Sequence, residues 1–264
     1  MIIKIENRAL LKVSGIDGKS FLQSQFSNDI NNIKENNIQI NAYCQHQGKI
    51  TALIWVFKRD EIYYLSFPEN LKSLVLAKFN MFKLMSLVEI EDLSENVYQY
   101  GLINEESENS FRINDNLSLL TSEKPLIDTY DNYQWEIACV NENLPEIYIE
   151  TYEKHIPQAL NLDINEFGVS FTKGCYPGQE VVARMHYLGK PKRRLFRFAS
   201  NVEVLIGDSL DVENSESIKS SGQVIRVAKE GNEFHFLGVF ELKHIDDQIF
   251  LNNDRNKPVK IIHE

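Results

Sequence analysis

At 264 residues, with 43% hydrophobic and 25% charged side chains, the chain can bury a substantial core, and this ordinary composition excludes a disordered chain and a coiled coil. No apolar run approaches the length that crosses a bilayer, and the first six residues alternate like a strand and lack the apolar stretch of a signal peptide, so a cytoplasmic protein is expected. The formal net charge of −10 disfavours a nucleic-acid or anionic-membrane protein.

In chain order, residues 8–13 read as a strand leading into Ser14-Gly15, and Asp17 can cap a helix with the apolar stripe Phe21, Leu22, Phe26 and Ile30. Residues 38–44, 50–58 and 61–67 read as a meander of strands, joined by His46-Gln47-Gly48-Lys49 and by Arg59-Asp60. Leu71, Leu74, Val75, Phe79 and Phe82 keep helical spacing, which predicts an amphipathic helix over 69–84. A polar loop over 105–110 precedes short strands at 111–113, 117–120 and 126–129. Residues 133–140 suit helix or strand equally, and 141–157, with two prolines, read as mostly irregular. Strands with hairpins and scattered helices, without regular βαβ units, give an α+β class. From Arg194 onward, segments 194–198, 208–212, 223–228 and 234–240 are β-rich and separated by Gly, Asn and Ser turns, the pattern of a small barrel or sandwich. The chain therefore divides into 1–193 and 194–264.

Cys44, Cys139 and Cys175 are an odd count without a CxxC pair, which argues against a disulfide framework and a closed zinc site. Cys175 stands apart from the other two. It lies in Lys173-Gly174-Cys175-Tyr176-Pro177-Gly178-Gln179-Glu180, where proline and two glycines force a tight path before a helix over 179–187 with Val182 and Met185 inward. A thiol before a helix N-terminus, between Lys173 and Arg184, is in surroundings that lower thiol pKa and suit nucleophilic chemistry or ligation of a soft metal or iron–sulfur cluster. The plain alternative is a small residue filling a turn. Cys44 and Cys139 fall in apolar settings and read as buried thiols. His46, His155, His186 and His244 share no metal-binding spacing. From Lys173 to Arg197 seven basic residues face one acid, Glu180, so that stretch is +6 and the rest −16: a solvated face, or the dock of an anionic ligand or acidic partner.

The octapeptide 173–180, with Val182-Ala183-Arg184 after it, resembles the signature of the YgfZ family, folate-binding GcvT-like proteins associated with iron–sulfur cluster maturation. Pro157-Gln158-Ala159-Leu160-Asn161-Leu162 and Gly168-Val169-Ser170-Phe171 resemble the family's approach to that signature, and Phe21 to Asp29 resembles its N-terminal helix. The resemblance implies a GcvT-like fold of two interleaved α+β domains plus a C-terminal β-barrel. A tetrahydrofolate-type ligand would lie in a central channel near the signature.

Under that resemblance Cys175 is the reactive or cluster-ligating thiol, its cluster transient and shared with a partner because one thiolate cannot complete a site. Trp135 would flank the folate and stack on the pterin, unless it is simply core. Arg8, where some members place an aromatic, would instead meet a folate carboxylate. Lys173, Tyr176, Gln179, Glu180 and Arg184 would line the ligand. Gln179 and Glu180 alternatively satisfy the first turn of the helix, and Arg184 alternatively pairs with Glu180. The related aminomethyltransferase carries an acid just after its central hairpin, but here Gln47-Gly48-Lys49-Ile50-Thr51-Ala52-Leu53 has none before Asp60, which argues against methylene transfer. The expected function is therefore a folate-binding accessory protein of iron–sulfur assembly or repair, a monomer whose partners are assembly or client proteins and whose effect on tRNA modification is indirect. The rival classes are a tetrahydrofolate-dependent one-carbon transferase and an RNA-binding module using 173–197.

Overall fold

The computed structural model describes residues 1–105, 107–127, 131–213 and 220–262; for Met85 it describes the backbone alone. The first half runs β1 (Ile2–Lys4), β2 (Arg8–Ser14), α1 (Gly18–Gln25), β3 (Gln39–Cys44), β4 (Ile50–Arg59), β5 (Ile62–Pro68), α2 (Lys72–Phe82), β6 (Glu89–Asp92), β7 (Tyr98–Ile103), β8 (Ser110–Arg112) and β9 (Leu117–Ser122). There follow α3 (Asn132–Asn141), α4 (Gln179–Leu188), β10 (Arg193–Ser200), β11 (Ser209–Val212), β12 (Gly222–Glu230), β13 (Glu233–Glu241), β14 (Ile249–Leu251) and β15 (Asp254–Ile262).

The described strands form three sheets. One has the order β3-β4-β5-β2-β6, a second β1-β7-β9-β8, and the third is a closed barrel, β10-β13-β12-β11-β14-β15. Because β1 pairs with β7 while β2 lies in the other sheet, the chain weaves the two open sheets together from its first residues. The fold is thus α+β, with interleaved sheets and a six-stranded barrel. Among the described residues no helix is long and apolar enough to cross a membrane.

Local physics explains where expectation and structure part. α1 ends at Gln25, because Phe26 turns to extended backbone, and Ile30 falls in a separate 3-10 turn whose cap Asp29 accepts from the Asn31 amide at 3.0 Å. Asp17 stands at the N-cap of α1, but its carboxylate accepts from the Leu87 amide at 2.8 Å instead of capping the helix. Residues 133–140 resolve as helix α3, and the helix expected over 69–84 keeps its α-helical form from Lys72 to Phe82. Leu126 and Ile127 belong to no strand, and the rest of the strand expected there lies outside the described residues. The barrel also holds β14 and β15, joined through Asn252 and Asn253 at φ 52° and 56°, the left-handed pair a tight hairpin requires. Their signal is weak because β14 is short and β15 buries only one of its nine residues.

Phe21, Phe26, Tyr43 and Phe79 pack ring against ring, with Phe21–Phe79 at 5.5 Å and Tyr43–Phe79 at 5.1 Å, which sets α1 and α2 against the first sheet. Residues 153–155 bond to the start of β4: the Glu153 amide donates to Ile50 O (2.9 Å) and the Ile50 amide to His155 O (2.8 Å). The buried His155 ring then reaches the barrel, Nε2 lying 3.0 Å from Gln223 Oε1. Burial pushes its pKa down to about 4, and the cations Arg193, Lys154 and Lys49 act the same way. The unfolded chain therefore binds a proton near pH 6.5 that the folded chain refuses until about pH 4. Stability is full above pH 6.5 and falls as pH drops through that window, by about 2 kcal/mol between pH 7 and 5. Urea titrations at both pH values should show this loss in the wild type and not in His155→Gln. An equal loss in both would refute the assignment.

Candidate functional site

The four stretches that carry the sequence resemblance converge in space. Ser27 Oγ donates to Gly168 O (2.6 Å), and the Ser170 amide donates to Ser27 O (3.0 Å), which ties 168–170 to the end of α1. Buried Gln158 donates from Nε2 to Val182 O (2.8 Å), which anchors α4 to the 3-10 turn at Pro157–Leu160.

Lys173 then fastens the signature turn. Its Nζ donates to the carbonyl oxygens of Gln23 (2.6 Å), Asn28 (3.1 Å) and Phe26, and lies 5.2 Å above the Tyr176 ring. Burial lowers its pKa to about 8 against the pull of Asp29, so at neutral pH it keeps three protons, one for each carbonyl. None is left for a folate carboxylate, which corrects the ligand-binding role expected for Lys173. Tyr176 is buried beneath it, and burial pushes its hydroxyl pKa up.

Two glycines lock the other side of the turn. Gly178 sits at φ +83°, and a Cβ there would lie 2.5 Å from Gln45 O and 2.7 Å from Gly48 Cα. Gly48, at φ +77° in the β3–β4 hairpin, faces it in turn, so hairpin and signature turn meet backbone to backbone. The close approach expected of Gly178 is made to another segment of the chain. Cys175 lies on the surface between these two anchors, while Cys44 and Cys139 are buried and their thiols are pushed by burial to about 12. Among the described residues no group of three or more His, Cys, Asp or Glu is gathered to hold a metal ion.

The basic stretch separates into two kinds of residue. Arg193 bonds Glu241 (2.9 Å) and Ser220 O (2.7 Å), Arg194 bonds Asp163 (3.1 Å) and Gln158 O (2.8 Å), and Arg197 bonds Asn141 O (3.0 Å). With Lys173 these four cations serve the fold. Arg184, Lys190 and Lys192 remain exposed. Glu180 is exposed in the first turn of α4, where an acid suits the helix dipole, but forms no ion pair with Arg184, and half-buried Gln179 makes no cap.

Trp135 and Arg8 lie elsewhere, in a buried polar cluster that also holds Trp55 and Glu146. The indole of Trp135 is wholly buried and packs on Gly101, where a Cβ would lie 2.1 Å from the ring, with Trp55 edge-on at 6.4 Å. Arg8 stacks on Trp55 at 3.7 Å and pairs with Glu146 Oε2 at 2.5 Å, with Ser66 Oγ at 2.8 Å. Its guanidinium is therefore matched internally, which corrects its expected pairing with a folate carboxylate. Burial pushes the Glu146 pKa up, opposed by Arg8 and Arg226. Glu146 escaped the sequence reading; the available signal was an acid set among apolar neighbours in Leu144-Pro145-Glu146-Ile147.

The structure does bring a carboxylate to the hairpin. Residues 43 and 44 pair with 52 and 50, leaving Thr51 as the extra residue of a bulge. Its hydroxyl lies 3.1 Å from Glu153 Oε1 and accepts from Lys78 Nζ at 3.0 Å. Glu153 is itself paired with Lys78 at 2.7 Å, and although burial works the other way, Lys78, Tyr152 and Thr51 together lower its pKa. A carboxylate so held is a poor proton acceptor near neutrality.

No family model matches the chain. An uncharacterized protein of Haemophilus influenzae is 29% identical over 235 residues, covering 84% of this chain and 82% of that one. Proteins named tRNA-modifying protein YgfZ from Colwellia psychrerythraea and Buchnera aphidicola are each 27% identical, covering 85% and 80% of this chain and 80% and 78% of theirs. The solved structure of glycine cleavage system aminomethyltransferase T from Bartonella henselae shares the fold, with a TM-score of 0.69 over 100% of this chain and 84% of that one, at 12% identity. Along most of its length, and through the stretches that converge on the turn carrying Cys175, the chain is similar to proteins of the YgfZ family, and it shares the fold of aminomethyltransferase T.

Proposed function

We propose that this protein is a folate-binding accessory factor of iron–sulfur cluster assembly or repair, with Cys175 as its working thiol. The observation that carries the reading is that Cys175 alone of the three cysteines is exposed, on a turn pinned by the Lys173 ammonium on one side and the Gly178–Gly48 contact on the other. A thiol held so firmly yet left open suits attack on, or ligation of, something presented from outside. The Glu153–Lys78 lock argues against the rival transferase, because it leaves no ready proton acceptor at the hairpin.

The buried cluster supports a folate. Nε1 of Trp55 and of Trp135 are buried donors with no hydrogen-bond partner, and the enclosed Glu146–Arg8 pair offers acceptor and donor together, which fits the flat, polar edge of a pterin. These four residues would hold the ring, and a bound reduced folate would supply one-carbon or redox chemistry that side chains lack. Both tryptophans of the chain lie here, so intrinsic fluorescence reports on this region. Tetrahydrofolate titration should change the emission saturably in the wild type and much more weakly in Glu146→Gln. A flat titration of folded wild-type protein would remove folate from the proposal. Cys175→Ala should keep the folate response yet depress iron–sulfur enzyme activities in cells, and unchanged activities would end the role given to the thiol.

A further inference from the structure

We infer that the solvent face of α4 and the loop after it, from Cys175 to Lys192, is the docking surface for an acidic partner protein that meets the thiol; this rests on the reading of Cys175 as the working group. The surroundings of the thiol are open. A Cβ on Gly174 would meet nothing within 4 Å, so no wall stands there to hold a small reactant. Whatever meets Cys175 needs contacts further away, and α4 supplies them.

Val182 is the fully buried anchor of this helix, whereas Arg184, Tyr187 and Leu188 share the opposite face by their three- and four-residue spacing. Tyr187 is 66% and Leu188 85% exposed, an aromatic and an aliphatic side by side in solvent at the helix end. The Tyr187 ring is fixed edge-on to His186, at 4.8 Å, and His186 stacks on Phe171 at 3.7 Å, so the aromatic is presented rigidly. Arg184 shares this face and Lys190 and Lys192 follow it in the chain; all three are exposed, and among the described residues their side chains have no hydrogen-bond or ion-pair partner. The stretch's other four cations are consumed by internal bonds, so the free positive charge of this segment is concentrated on this face.

An apolar centre with an unpaired cationic rim complements a partner with an acidic rim. Helix rise places Leu188 about 14 Å beyond the first residue of α4, so one modest interface could span both the apolar centre and the thiol. RNA fits less well. Three free cations would neutralise about three phosphates, whereas tight RNA binding by charge needs several more, and Glu180 and the net charge of −10 oppose it.

The test places a benzoylphenylalanine photoprobe at Tyr187 of the full chain in cells, with a control probe at exposed Glu61. The expected result is a protein adduct formed from position 187 and not from 61, whose partner, identified by mass spectrometry, carries net negative charge. Its yield should fall at least fivefold in Arg184→Glu/Lys190→Glu/Lys192→Glu, a surface variant whose retained melting temperature verifies folding. The inference is overturned by no adduct, by an adduct of equal yield after charge reversal, by a nuclease-sensitive adduct, or by one of twice the chain's mass. Loss of the adduct with an unchanged folate titration, or the reverse, separates this inference from the folate reading.

Discussion

Replacing Gly178 with alanine should cost about 2–5 kcal/mol of folding stability, whereas Gly174→Ala, next to Cys175 but on no locked contact, should change it by less than about 1 kcal/mol. Two penalties add at Gly178. Its φ of +83° is left-handed, which costs a residue with a Cβ about 1–2 kcal/mol, and the new Cβ would lie 2.5 Å from Gln45 O, which forces hairpin and turn apart for about 1–3 kcal/mol more. Gly174 has neither problem, since its added Cβ would meet open space. Urea denaturation of both variants gives the comparison directly. Equal and small losses would mean that the hairpin does not pin the signature turn, and the rigid presentation of Cys175 would lose its basis.

The second large effect is expected at the buried ion pair. Arg8→Met should cost about 3–5 kcal/mol, because it strands the Glu146 carboxylate in the interior without its main partner. Arg8→Met/Glu146→Leu should recover most of that loss, since apolar side chains of similar volume need no solvation. A double-mutant cycle by urea denaturation would show this as a large favourable coupling between the two sites. Additive losses would show that the pair is not a unit. If the pair also holds a pterin, the stable double variant should lose the tetrahydrofolate response, which separates a ligand role from a purely structural one.

Not all of this was readable along the chain. The octapeptide at Cys175 is local, and its proline and glycines encode a turn whatever surrounds it, so its position before a helix was legible. Four strands of the first sheet, β2 to β5, and the helix at Lys72–Phe82 were legible for the same reason, through alternation and helical spacing, whereas β6 was not. Lys173 was misassigned because a lysine beside a cysteine looks like a ligand-binding charge until the three carbonyls around it are seen. The carboxylate expected to meet Arg8 from a folate comes from the chain itself, Glu146, 138 residues away. The carboxylate missing after Gly48 is present in space, but Glu153 reaches Thr51 across 102 residues and arrives already neutralised by Lys78.

By itself, then, the sequence determined the secondary structure of periodic segments, the change to β-rich structure near Arg194, and the turn that presents Cys175. These depend on backbone preference and hydrophobic spacing within a few residues. Only the tertiary structure decided which charges are free. Burial makes each interior charge find a partner, and the chain path sets which one, so that four of the seven cations from Lys173 to Arg197 became structural bonds and three were left exposed.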